Sequence, residues 1–150
     1  NPIGKPTGFH VGVRLDATAY DQKRETARME WKVEAGAEFA VTAPIFEPAA
    51  LERLVSPLAE RNLSIIATLW PLRSAREAEF FEQRSASVPI PETLLKRMRD
   101  AEERGTEADE GVAIAVELLA RIKGLVHGVQ VVAPGGDISR AIAVLNSLEP

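Results

Sequence analysis

Four short apolar runs, separated by stretches of helical periodicity, constrain this chain more than any other feature. The runs are Phe9–Leu15, Glu38–Thr42, Leu63–Leu69 and Gly128–Val132. Three are apolar on both faces over much of their length, the habit of strands covered on both sides. The gaps read as helices. Leu51, Leu54, Val55 and Leu58 form one apolar stripe, with Pro48 suited to the first turn and Asn62 to the position past the end. Ala115, Leu118, Leu119 and Ile122 repeat the spacing before a stop at Gly124. Ile138, Ala141, Ile142 and Leu145 repeat it again behind an Asp137 N-cap. Residues 22–35 predict a charged helix that buries Ala27, Trp31 and Ala35 and closes at Gly36. Residues 92–103 predict another, started by Pro91. Between Arg73 and Pro91 the expectation is a long charged connection, a candidate lid.

Alternation of this kind implies an α/β fold with parallel strands joined by right-handed helical crossovers. No G-x-G-x-x-G follows any run, which removes support for a dinucleotide-binding open sheet. A closed eight-stranded β/α barrel takes roughly 250 residues. Four β-α units in 150 residues match half of a TIM-type barrel. The opening Asn-Pro-Ile-Gly-Lys-Pro-Thr-Gly is loop chemistry and does not begin with Met, so residues 1–150 are expected to be a fragment of a longer chain. An isolated half-barrel exposes two strand edges and an uncovered inner face, and should dimerise, aggregate or rest against a missing partner; a homo-oligomer is the expected state.

Composition excludes several classes. With 18 basic and 22 acidic residues, the net charge of -4 argues against a general nucleic-acid binder. The absence of cysteine removes disulfides, Cys-based zinc sites and thiol nucleophiles, and suits a cytoplasmic location. No apolar run approaches the ~18 residues of a membrane span. The two histidines, His10 and His127, have no metal-like spacing and no Ser-His-Asp context, so no metal is expected.

Three separated blocks then carry a resemblance. They are Trp31 to Phe46 (WKVEAGAEFAVTAPIF), Leu69 to Ser74 (LWPLRS) with Val88-Pro89-Ile90-Pro91, and Gly128 to Pro134 (GVQVVAP). Together they resemble the methylenetetrahydrofolate reductase family, most closely the reductase half of bifunctional homocysteine S-methyltransferase/methylenetetrahydrofolate reductase proteins. The resemblance implies an FAD-carrying β/α barrel that reduces 5,10-methylenetetrahydrofolate to 5-methyltetrahydrofolate with NAD(P)H, within methionine biosynthesis and one-carbon metabolism. This chain would supply strands five to eight. The N-terminal half of the same barrel would be its partner and would carry the catalytic acid, so the fragment alone is expected to be inactive.

The resemblance also assigns roles. Lys32 falls where the family has a lysine near the flavin's phosphate-bearing arm, and Arg28, one turn earlier, where the family places a polar flavin contact of a different residue type. Ala43 stands where the family usually has the Gln that reads the folate pterin, so either another group reads the pterin, or the alternative holds: a different substrate, or a non-catalytic partner with the same scaffold. Phe81 matches an aromatic that stacks on nicotinamide or folate, and Glu77 a Gln on the same loop. Trp70 and Leu72 would shape the pocket at the mouth. Phe46 reads as packing under a loop. Gln130, a polar residue inside an apolar strand, demands partners, which a layered barrel interior would supply. Gly135 and Gly136 read as a turn, with the following helix start open to an anion.

Overall fold

The computed structural model describes residues 4, 8–19, 21–84 and 88–148. Its strands are β1 (Gly12–Leu15), β2 (Phe39–Pro44), β3 (Ser64–Leu69) and β4 (Gly128–Val131). Helix α1 (Gln22–Glu34) joins β1 to β2, and α2 (Pro48–Val55) with a 3₁₀ turn (Ser56–Leu58) joins β2 to β3. Three helices, α3 (Ala75–Arg84), α4 (Glu92–Arg104) and α5 (Glu107–Ile122), fill the gap before β4, and α6 (Ile138–Asn146) follows. All four strands are parallel and lie in sequence order, β1-β2-β3-β4. An open doubly wound sheet reverses its order at a switch point; a barrel does not. The architecture is therefore α/β with four parallel strands, as in part of a TIM-type barrel. It is not closed: among the described residues β1 pairs only with β2, and β4 only with β3.

Local chemistry sets the element ends. Helix α1 stops because Gly36 adopts φ +100°, a conformation costly for residues with a Cβ. Ala37 N–H then bonds Lys32 O and Gly36 N–H bonds Val33 O, both at 2.9 Å, which satisfies two terminal carbonyls. At the end of β2, Pro44 has no N–H to give the ladder. The β2–β3 register shifts between Val41 and Pro44, and Ile45 N–H reaches Thr68 O at 2.9 Å instead.

Alternate strand residues face opposite ways. Ile65, Ala67 and Leu69 of β3, with Leu15 and Ala40, are buried in one core cluster with Met29, Leu51, Leu54, Leu95, Met98, Ile114 and Leu119 of the helices. The other face, with Arg14, Val41, Thr68 and Gln130, lines a cavity. Helix α5 approaches the loop after β3 through Gly111, where a Cβ would lie 1.8 Å from Leu72 O. Only glycine permits that approach.

Four expectations change. Residues 73–91 are not one connection: α3 occupies Ala75–Arg84. Its start has a side-chain cap, Glu77 N–H donating to Ser74 Oγ at 3.2 Å. Helix α1 buries a different face from the expected one. Met29 and Glu25 are buried, whereas Trp31 is 70% exposed, and Ala27 and Ala35 are not buried either. The buried Glu25 carboxylate accepts Asp16 N–H at 3.2 Å, a partner on the β1–α1 loop. In α6, Ala141 and Val144 are buried, while Ile138, Ile142 and Leu145 of the expected stripe stay exposed. The first strand is also shorter than expected: Phe9 and Val11 lie before it and are exposed. Most of the bare apolar side chains thus gather at the two flanks, Phe9, Val11 and Trp31 by β1 and α1, and Ile138, Ile142 and Leu145 on α6, with Phe80 of α3 apart from both.

Candidate functional site

Parallel β/α units gather functional groups where the strands end. Here the open face of the sheet, from Gly12 and Phe39 at the strand starts to Ala43, Trp70 and Val132 at the strand ends, borders a cavity of about 600 Å³, a size typical of small-molecule sites. Its apolar wall includes Phe39, Val41, Ala43 and Val132, and its polar groups are Arg14, Thr42, Thr68 and Gln130. Trp70 stands at the rim.

The polar groups on β2, β3 and β4 are linked. Thr68 N–H donates to Thr42 Oγ1 at 2.9 Å, and Thr68 Oγ1 donates to Thr42 O at 2.6 Å. Gln130 Nε2 donates to Thr68 Oγ1 at 2.8 Å. These bonds bridge the strands where the β2–β3 ladder is irregular. Gln130 therefore finds its partner across the strands, although its side chain is exposed in this chain. Arg14, exposed on edge strand β1, has no carboxylate partner among the described residues. The sequence pattern did not single it out; its signal was a cation inside an apolar run.

The residues predicted from sequence fall into separate places. Ala43 and Trp70 share the strand-end cavity. Ala43 is 7% exposed, so little more than its methyl reaches the space. Trp70, Glu77 and Phe81 line a second groove of about 520 Å³ under α3, with Arg73, Arg76 and Phe80. Phe81 meets Trp70 edge-on at 5.0 Å and Phe46 at 5.9 Å, so an aromatic cluster ties the rim to the start of α2. Trp70 Nε1 is a buried donor without a partner among the described residues. The Glu77 carboxylate accepts Arg73 N–H at 2.8 Å and Arg73 Nε–H at 2.9 Å, which holds the entry to α3. Leu72 is fully buried in the core cluster and does not stand at the mouth, because α5 passes directly over its carbonyl at Gly111.

Arg28 and Lys32 lie together on α1, in a groove of about 510 Å³ with Arg24 and Trp31. Lys32 Nζ donates to Arg14 O at 2.8 Å, which ties α1 to the edge strand, and to Met29 Sδ at 3.7 Å. Arg28 lies 3.4 Å from the buried Glu25 carboxylate. The start of α6 is already supplied with an anion: Asp137 pairs with Arg140 at 2.9 Å and accepts from the Ser139 hydroxyl, and that hydrogen bond first, with Arg140 behind it, holds the Asp137 carboxyl below its ordinary range. Among the described residues no group of three or more His, Asp or Glu is placed to hold a metal ion, and no helix is long and apolar enough to cross a membrane.

Comparison with known proteins gives a consistent result. The family model described as methylenetetrahydrofolate reductase matches residues 7–133. Methylenetetrahydrofolate reductase 2 of Schizosaccharomyces pombe is 26% identical over 149 residues, covering 92% of this chain and 23% of that protein. A solved structure is similar with a TM-score of 0.65 and 18% identity, over 93% of this chain and 53% of that one. It is an uncharacterised protein from Clostridium thermocellum that binds two copies of 5-methyl-5,6,7,8-tetrahydrofolic acid. The chain thus spans less than a quarter of the yeast protein and about half of the bacterial one. With a match over most of its length and four parallel strands opening on one cavity, the chain belongs to the methylenetetrahydrofolate reductase family.

Proposed function

We propose that this chain forms part of a flavoprotein that reduces 5,10-methylenetetrahydrofolate to 5-methyltetrahydrofolate with NAD(P)H. The observation that carries the reading is the cavity at the strand ends, in a chain of this family. The bacterial structural neighbour, which binds a reduced folate, supports the ligand class.

The residues present fit a flavin. The wall of Val41, Ala43 and Val132 is apolar and suits a flat ring, and Arg14 supplies a positive charge beside it. Lys32 and Arg28 offer cations for a phosphate-bearing arm. When bound, the flavin supplies hydride transfer, and the protein's part is to hold and orient. Trp70 and Phe81 form the aromatic rim against which a folate or nicotinamide ring would rest. Further β/α units would close the barrel and cover the bare flanks at Trp31 and Ile142. A neighbouring homocysteine S-methyltransferase unit belongs to the same proposal.

The test is the full-length protein purified without added cofactor. The account expects flavin absorbance and NAD(P)H oxidation that depends on methylenetetrahydrofolate. A protein that carries flavin and oxidises NAD(P)H only with another acceptor would redirect the substrate assignment. Absence of both flavin uptake and folate binding would reject the reading. The second reading, a different substrate or a non-catalytic partner, is favoured by Ala43, whose methyl offers a pterin neither donor nor acceptor.

A further inference from the structure

The strand-end cavity carries a chain of side chains whose hydrogen-bond direction is fixed. Thr68 Oγ1 lies 2.6 Å from Thr42 O. A carbonyl only accepts, so the one hydroxyl proton of Thr68 points at it. Gln130 Nε2 lies 2.8 Å from the same Oγ1. That oxygen has no second proton, so it accepts, and Gln130 must turn an N–H toward it. Flipping the amide would set Oε1 against an oxygen lone pair. Thr68 N–H, bonded to Thr42 Oγ1 at 2.9 Å, holds the arrangement in place from behind.

The lock leaves Gln130 with one acceptor, Oε1, and one spare N–H. Oε1 has no partner among the described residues, and the exposed side chain lines the cavity that Ala43 also lines. We infer that Gln130 is a specificity-determining residue that reads the lactam edge of a fused pyrimidinone ring. Oε1 accepts the ring N–H, and the remaining Nε2–H is available to the neighbouring ring carbonyl. This rests on the folate reading and deepens it: the amide that Ala43 lacks is supplied from β4. A pterin and a flavin both carry such an edge, so the chemistry names the edge and the experiment separates the two sources.

The experiment measures affinities of the full-length protein for 5-methyltetrahydrofolate, for riboflavin and for a 2,4-diaminopteridine. The last lacks the ring N–H and carries an amino group in place of the carbonyl. Wild type and Gln130→Leu are compared, with thermal unfolding as the check on folding. Wild type should prefer the folate over the diaminopteridine by about tenfold or more, the scale of one mismatched buried hydrogen bond. Gln130→Leu should lose that preference with little change in unfolding temperature. A purely structural role would not alter discrimination between the two ligands. If riboflavin affinity falls about tenfold and folate affinity does not, the edge being read is the flavin's, and Gln130 keeps its role. Should Gln130→Leu fail to fold, Thr68→Val gives the second test: it unlocks the amide, so discrimination should drop while Gln130 remains. Unchanged affinities in the variants overturn the inference and leave the folate reading standing. A wild-type protein that binds neither folate nor riboflavin overturns both.

Discussion

Thr42 and Thr68 exchange two hydrogen bonds, from Thr68 N–H to Thr42 Oγ1 at 2.9 Å and from Thr68 Oγ1 to Thr42 O at 2.6 Å. Both residues are buried. The pair bridges β2 and β3 where their register shifts, and it sits in the wall of the strand-end cavity. A side chain thus performs a backbone's work at the place where the sheet becomes a binding site.

Thr42→Val keeps the shape and removes the acceptor. It leaves the Thr68 N–H buried without its partner, at a cost of about 1–3 kcal/mol. Urea unfolding should show the midpoint lowered with an unchanged slope. Thr42→Ser, which keeps the hydroxyl, should lose clearly less. Equal losses for the two would mean that the hydroxyl is not the important group.

Gly111→Ala tests the approach of α5 to the β3–α3 loop. The new Cβ would come within 1.8 Å of Leu72 O, a backbone atom that cannot swing aside. Overpacking of this kind costs about 1–3 kcal/mol. Since Leu72 is core and not mouth, ligand affinity of the folded fraction should stay as in wild type. A variant of wild-type stability would show that the helix and loop are not in contact.

The strands and the connectivity were legible because each rests on local pattern: a short apolar run, a proline at a helix start, a glycine at a helix end. The Gly36 stop and the Pro48 start read directly from sequence. The faces of α1 and α6 did not. Glu25 is buried because its partner is Asp16 N–H, and no periodicity rule anticipates a carboxylate on the core side. Trp31 and Ile142 are apolar yet face away from the core, which places them on flanks that only a further layer would cover. Helix α3 was readable in hindsight, from Ser74 followed three residues later by Glu77. The site was legible in part. Ala43, Trp70, Glu77 and Phe81 were singled out on resemblance, and Trp70 does link the two cavities. Gln130 stood out as polar in an apolar run, but its link to Thr68 spans 62 residues and needs the fold to be seen.

Arg97 clasps α4 to α5, bonding Glu110 at 2.7 Å and Glu117 through two nitrogens at 2.7 and 2.8 Å. The Glu117 carboxyl is held below its ordinary value of 4.5, chiefly by the hydrogen bond from Arg97. A depressed folded-state value means that the stabilisation is present above the ordinary carboxylate range and is lost as pH falls through the folded value. Denaturant midpoints should therefore drop between neutral and acid pH, and Arg97→Ala should shrink that drop. Because the pair is largely solvent-facing, added salt should shrink it too. An identical acid profile in Arg97→Ala would remove the pair from the account.

Lys32→Met separates anchoring from folding. The long apolar stem is preserved, and the ammonium that bonds Arg14 O is lost. The account expects flavin affinity of the full-length protein to fall about tenfold, the value of one charge-assisted contact. Flavin fluorescence on titration reads it directly. Unchanged flavin affinity would assign Lys32 to holding α1 against β1 and nothing more.

The central claim is that the face of the sheet turned away from the helices is where the ligand binds. Hydrogen exchange of the full-length protein, with and without saturating 5-methyltetrahydrofolate, tests it most directly. The account predicts slowed exchange at the strand ends, residues 42–46, 69–74 and 130–134, with the outer surface of α2 and α4 unchanged. Slowing confined to the helical layer, or none at saturation, would contradict it.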